Sequence, residues 1–287
     1  MLRIRFYLIR PQVSFGVIPQ HETMKDFTIT RRLVAGFEPW IAALVAPHLP
    51  FQKVPAKGGS YYWRFRDENA HALLVGKLVR AVTGLRGALV CVDASMTTEA
   101  FSLLRMVSDY ADEVIAVSEG LVDGKLTKTQ QTFVEQYFRP IPETADEHAA
   151  QPYERYVTRE ELMKSHRRLA EKTTGGGAEI LKLARYVQKG YDTYVHGGYE
   201  TAMELFRGDE QRFMLGGHDS PKYICLAYTS IAAKLMPVLV AFEFSAFLHG
   251  LDALRTEIKV ARKDLDDSGE GLSAICKDEA LSRQAAV

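Results

Sequence analysis

The sequence predicts an all-α fold, an antiparallel helical bundle with an irregular N-terminal arm. Apolar residues recur at steps of three and four from about residue 67 to about residue 265, whereas strand-like alternation is scarce. The chain has 287 residues and is 47% hydrophobic, which is ample for a packed core. We therefore expect one large domain or two small ones in which helices bury apolar faces against each other.

Residues 1–60 are predicted to form the arm, with one short helix over about 31–46, because prolines interrupt the rest of this stretch. Arginines interrupt the short apolar run at the start, so no signal peptide is expected. Met24 is interpreted as an alternative start, which would leave residues 1–23 without a role in the fold.

The bundle domain is predicted over residues 61–266, followed by a flexible tail over 267–287. Its first helix is expected from a cap at Asp67 to about residue 83. Gly84 and Gly87 then either end this helix or allow a neighbour to pack closely against it.

Two further helices precede a proline-containing loop. Ser95, Thr97 or Thr98 is predicted to cap the second bundle helix, in which apolar residues recur up to about residue 115. The third is predicted over about 128–138, because Pro140 prevents its continuation.

The second half of the chain is also predicted to be helical. Thr158 and Glu161 form a capping-box pattern at the start of one helix, and residues 178–206 have a helical period. A long apolar helix is expected from Pro221 to about His249, because proline suits a first turn. A last helix follows over about 251–265.

The long apolar segment is interpreted as a buried central helix and not as a membrane span. Lys234, Pro237, Glu243 and His249 interrupt it, and a transmembrane helix tolerates few such residues. No membrane association is therefore predicted.

Charge and cysteine content restrict the class of protein. Lys and Arg total 36, as do Asp and Glu, so a general nucleic-acid-binding surface is not expected, although a local basic patch remains open. The three widely spaced cysteines fit a reducing, cytoplasmic compartment. No Cys-x-x-Cys pair is present, and Glu68-x-x-His71 is a single copy of a motif that di-metal bundles need twice. No metal or cofactor is predicted.

The most informative segment runs from Tyr191 to Gly198, where a tyrosine and histidine cluster ends on two glycines. Asp192 and His196 are four residues apart, so on a helix the carboxylate can orient the imidazole ring. Arg185 has the same azimuth as His196 but lies roughly 16 Å away along a straight helix. The alternative is an Asp–His surface pair, or a histidine that satisfies a neighbouring helix.

A charged stripe on the second bundle helix comprises Arg105, Asp109, Asp112 and Glu113. If it faces the interior, it forms a polar site beside His196. Because the apolar residues of this helix lie on its other side, we expect the stripe to be solvated.

The segment Tyr61–Arg66 interleaves aromatic residues with arginines. Such a mixture can stack bases and hold phosphates. We expect instead that it docks the arm onto the bundle, because a helix begins directly after it.

Two segments resemble a bacterial domain of unknown function related to the HEPN superfamily of small helical bundles. Glu99–Tyr110 resembles its "EA-x-x-L-x-R-x-x-x-E-Y" helix, and Tyr191–Gly197 resembles its later "Y-x-x-x-(V)H-G" helix. The resemblance spans about residues 67–255. It implies a HEPN-like bundle that acts as a homodimer.

HEPN proteins often are metal-independent ribonucleases of toxin–antitoxin and phage-defence systems, with an Arg-x(4–6)-His motif. The resemblance implies that His196 is the general acid/base, although Lys189, Gly190 and Tyr191 stand where the motif has its arginine. Arg105 or Arg185 would then stabilise the phosphorane charge, and Asp192 or Asp109 would orient His196. Tyr191, Tyr194 and Lys189 would bind the RNA.

Two other functions are compatible with the same residues. A non-catalytic helical module would bind a protein or a small ligand, and the tyrosine and histidine cluster would then be a buried polar network. A metal-dependent enzyme would be built on Asp109, Asp112, Glu113 and His196.

Overall fold

The computed structural model of the protein describes residues 27–55, 59–139 and 220–270, together with scattered positions between 157 and 217. This part of the chain is mostly helical, which confirms the all-α prediction at that level. Its helices are α1 (Thr28–Ala35), α2 (Phe37–Val45), α3 (Ala70–Asp93), α4 (Thr97–Val122), α5 (Lys128–Phe138), α6 (Pro221–Leu248) and α7 (Asp252–Ser268). Strands β1 (Gln52–Pro55) and β2 (Tyr61–Arg64) form one short antiparallel pair. Strands β3 (Phe206–Arg207) and β4 (Arg212–Phe213) form another.

Helix α3 begins later and ends later than its apolar pattern predicts. Its N-cap is Asn69 and not Asp67, since the side chain of Asn69 accepts a 3.0 Å hydrogen bond from the backbone of Ala72. The helix continues through Gly84, where an added Cβ would lie 2.6 Å from Val107 Cγ2. The glycine therefore allows α4 to pack closely against α3 and does not end the helix.

Helix α4 lacks the predicted serine or threonine cap. Its N-cap is Met96, which makes no side-chain cap hydrogen bond. Ser95 instead takes a positive φ of 62°, and its backbone N–H bonds to Val92 O at 2.9 Å, so it belongs to the end of α3. Helix α5 matches its predicted bounds, and Thr127 and Gln130 form a capping box at its start.

Helix α6 is the central helix of the core and packs against α3, α4 and α7. Ile231, Leu235 and Phe242 are fully buried on it, as expected for a core helix. Among the described helices, Tyr223–Leu248 is the segment that is long and apolar enough to cross a membrane. In the structure 56% of the most apolar window of this segment is buried inside the same chain, chiefly in its second half.

The N-terminal part contains two helices where one was predicted over 31–46, because the chain turns at Gly36. Both helices join the common core, where Phe37 stacks on Phe242 with ring centroids 4.9 Å apart. The buried carboxylate of Glu270 accepts hydrogen bonds from the backbone of Ile29 at 3.0 Å and Thr30 at 2.8 Å. A residue beyond α7 thus satisfies the first turn of α1.

Candidate functional site

The charged stripe of α4 faces inward, so the prediction of a solvated face is wrong. The side chain of Arg105 is 14% exposed, and those of Asp109 and Glu113 are 29% and 19% exposed. The apolar residues of α4 do pack into the core, but neighbouring segments also cover the flank that carries the charges. The stripe is therefore a polar layer at the side of the core.

Arg105 makes the central polar contacts of this layer. Its Nε donates a 2.6 Å hydrogen bond to Asp192 Oδ1, and its Nη1 forms an ion pair with Asp109 one turn further along α4. Burial of the guanidinium opposes its charge, but the hydrogen bonds to the two carboxylates outweigh that cost and raise the pKa of Arg105. The arginine thereby links α4 to the turn that carries the predicted histidine.

His196 lies on that turn and its side chain is exposed. Its backbone N–H bonds to Asp192 O at 3.0 Å, which places the two residues one helical turn apart. The ring of Tyr194 packs against Phe101 of α4 with centroids 4.7 Å apart. The bond from Arg105 to the Asp192 carboxylate and the packing of Phe101 on Tyr194 therefore hold the turn of His196 against the N-terminal half of α4.

The other predicted residues of this segment, Arg185, Lys189 and Tyr191, lie outside the described residues.

A second part of the polar layer was not predicted. Lys77 of α3 forms a 2.7 Å ion pair with Glu113, and its ammonium lies 5.0 to 5.4 Å from the ring centroids of Tyr110, Phe133 and Tyr137. A lysine between Leu74 and Leu78 of an apolar stripe was the signal in the sequence.

Burial sets the protonation behaviour around Lys77. Burial raises the pKa of Glu113, and nearby Asp109 and Asp112 raise it further, although Lys77 opposes both. Burial and the Glu113 carboxylate also raise the pKa of Tyr137. Lys77, Glu113 and Tyr137 thus form a desolvated group in which a change of charge is costly.

Three histidines form a separate titratable cluster beside the first turn of α3. His48 Nε2 lies 3.1 Å from His249 Nε2, and the ring of His71 lies 5.3 Å from that of His249. Burial and the mutual repulsion of their charged forms lower the pKa of His48 and of His71, and burial lowers that of His249. No group of three or more His, Cys, Asp or Glu within the described residues is arranged to hold a metal ion.

No protein-family model matches the chain, and neither a curated protein nor a solved structure is significantly similar to it. The HEPN-like relationship accordingly stays a prediction from the two segments at Glu99–Tyr110 and Tyr191–Gly197. The geometry around Arg105 and His196 is the basis for assigning a function.

Proposed function

We propose that the protein is a metal-independent endoribonuclease of the HEPN-like type, with His196 and Arg105 as its catalytic pair. The observation that supports this proposal is the hydrogen bond from Arg105 Nε to Asp192, which brings an arginine of α4 to the turn of His196. The arginine that the Arg-x(4–6)-His pattern needs, absent at residues 189–191, then comes from the neighbouring helix.

The free donors of Arg105 fit this role. The guanidinium uses Nε for Asp192 and Nη1 for Asp109, while Nη2 makes no hydrogen bond to any residue that the structure describes. The two N–H groups of Nη2 therefore remain for a non-bridging phosphate oxygen. An arginine held by two carboxylates is also fixed in place before the substrate arrives, and fixed donors stabilise developing charge most effectively.

The exposed imidazole of His196 fits the proton-transfer role. In the proposed reaction His196 removes the proton of a ribose 2′-OH, and that oxygen attacks the adjacent phosphorus. The bond from phosphorus to the 5′-oxygen breaks, and the leaving oxygen receives the proton. The products are a 2′,3′-cyclic phosphate and a 5′-hydroxyl, and neither a metal nor an oxidant is consumed.

Asp192 acts in this proposal as a positioning residue for Arg105, and Asp109 supports it from the same helix. Tyr194, held against Phe101, lies beside them as a stacking surface for a base. By the same resemblance, the active form is a cytoplasmic homodimer of a toxin or phage-defence system.

One observation favours a second candidate, a non-catalytic interaction module that binds a protein partner. Arg105 is mostly buried, and two carboxylates already neutralise its charge. A network of that kind also serves to hold α4 against the Asp192 turn without any substrate.

Cleavage of structured and single-stranded RNA in the presence of EDTA tests the proposal. The native protein and a Val195→Ala control, which alters the exposed neighbour of the histidine, should cleave. His196→Ala and Arg105→Lys should lose at least about a hundred-fold in rate, as expected for loss of a general acid/base or an oxyanion donor. Absence of cleavage by the native protein, or equal cleavage by His196→Ala, would leave the interaction module as the better assignment.

A further inference from the structure

The hairpin of β1 and β2 presents aromatic and cationic side chains to solvent. Its register pairs Lys53 with Trp63 and Pro55 with Tyr61, so these four side chains share one side of the hairpin, here called the aromatic face. All four are exposed, and Trp63 is 61% exposed. Tryptophan is highly buried on average, and Tyr and Trp are enriched at binding interfaces.

The rest of the hairpin is anchored to the bundle. Arg64 Nη2 donates a 2.6 Å hydrogen bond to Phe138 O and pairs with Glu68 at 2.5 Å. The ring of Phe65 packs edge-on against Phe51 and Phe138. The expectation that this segment docks the arm onto the bundle therefore holds for Arg64 and Phe65, whereas Tyr61 and Trp63 point away from those contacts and stay exposed.

Charge around the aromatic face favours an anionic partner. Lys53 Nζ lies 3.5 Å from the ring centroid of Tyr61, and Tyr61 and Trp63 meet edge-to-face at 5.8 Å. Residues 51–66 contain no Asp or Glu, although the chain as a whole has as many acidic as basic residues. The exposed Arg66 adds a second cation.

We propose that the aromatic face binds single-stranded nucleic acid, with a base stacked on Trp63 and a neighbouring phosphate held by Lys53. Aromatic rings beside cations form the surface that single strands recognise, since every base has a π-face and every nucleotide a phosphate. A membrane-inserting hairpin would have large apolar residues at its tip, whereas residues 56–60 read Ala-Lys-Gly-Gly-Ser. The local basic patch that the neutral net charge left open lies here.

This binding is independent of the proposed cleavage, so the test uses a twelve-residue oligo(dT), which lacks the 2′-OH. The chain has two tryptophans, and in a Trp40→Phe variant the emission reports on Trp63 alone. Oligo(dT) should quench that emission saturably, and the affinity should fall with added salt.

Fluorescence anisotropy of labelled oligo(dT) on proteins that retain Trp40 gives the second measurement. Trp63→Ala should weaken binding about ten-fold, and Lys53→Glu should also weaken it. Lys263→Glu, which alters an exposed lysine on α7, should have no effect. Unchanged affinity in Trp63→Ala, or no binding of oligo(dT) by the native protein, would overturn the proposal. If phosphatidylserine vesicles shift the Trp63 emission to the blue while oligo(dT) does not quench it, the proposal is overturned and the aromatic face binds a membrane surface instead.

Discussion

Arg105 Nε lies 2.6 Å from Asp192 Oδ1, and this bond joins α4 to a turn 87 residues further along the chain. Because the same guanidinium also pairs with Asp109, one side chain neutralises two carboxylates at the edge of the core. Lysine carries the same charge but has no planar fork with which to reach both partners.

Replacement of Arg105 by Lys should therefore lower the free energy of unfolding by about 1–2 kcal/mol, since Asp192 keeps partial access to solvent. Urea denaturation of Arg105→Lys, Asp192→Asn and the double variant measures the coupling between the two residues. The double variant should lose less than the sum of the single losses. Additive losses would mean that the bond contributes nothing to stability.

Both charges of the Lys77–Glu113 pair are desolvated, so loss of one partner should cost more stability here than at the Arg105–Asp192 pair. Glu113→Gln leaves the Lys77 ammonium without its counter-ion among aromatic rings, and we expect a loss of about 3 kcal/mol in unfolding free energy. Lys77→Met combined with Glu113→Gln should recover at least half of that loss, because no isolated charge then remains. If the double variant is less stable than Glu113→Gln, the pair does not act through its charges.

The histidine cluster predicts a pH-dependent stability. The folded-state pKa values of His48, His71 and His249 lie below the ordinary 6.5, so the unfolded chain binds more protons as pH falls. The contribution of the three neutral histidines to the free energy of unfolding is fully present above about pH 6.5 and is lost as pH falls below that value. Asp67 opposes the lowering of the pKa of His48.

Thermal melts between pH 7.5 and 5.5 test this sign. His249→Asn should flatten the decline of Tm toward low pH, because it removes one half-buried imidazole and relieves its repulsion of the other two. A native Tm that does not fall over this interval would contradict the assignment.

The contact between α3 and α4 at Gly84 predicts the outcome of a small substitution. Gly84→Ala improves helix propensity by about 1 kcal/mol, but its Cβ would lie 2.6 Å from Val107 Cγ2, on a β-branched side chain with little freedom to move. A net loss of about 1–3 kcal/mol is expected by denaturant titration.

Two companion variants separate the clash from other causes. Val107→Ala in the Gly84→Ala background should restore part of the lost stability, although Val107→Ala alone destabilises. Gly87→Ala, whose Cβ would lie 3.1 Å from the more flexible Leu103, should cost less than Gly84→Ala. Equal effects at the two glycines would show that close packing is not the reason for Gly84.

Local signals predicted the helices well where they were strong. The end of α5 follows from Pro140, and the start of α6 follows from Pro221, because a proline acts within one turn. The continuation of α3 through Gly84 depends on Val107 of another helix, which no local rule contains.

The candidate site was predictable as a set of residue types but not as a geometry. Arg105 and Asp192 each stood out in the sequence, yet the bond between them depends on how two distant segments pack. The inward orientation of Glu113 was missed because its partner, Lys77, lies on another helix, and the pattern of α4 alone does not contain that partner.

The cap that Glu270 places on α1 has a consequence for the order of events during synthesis. The contact with Ile29 spans 241 residues. At roughly 5–20 residues per second, on the order of ten to fifty seconds separate the appearance of the two partners. Until then the first backbone amides of α1 depend on water, so the first of the described helices to be made is among the last of them to be completed.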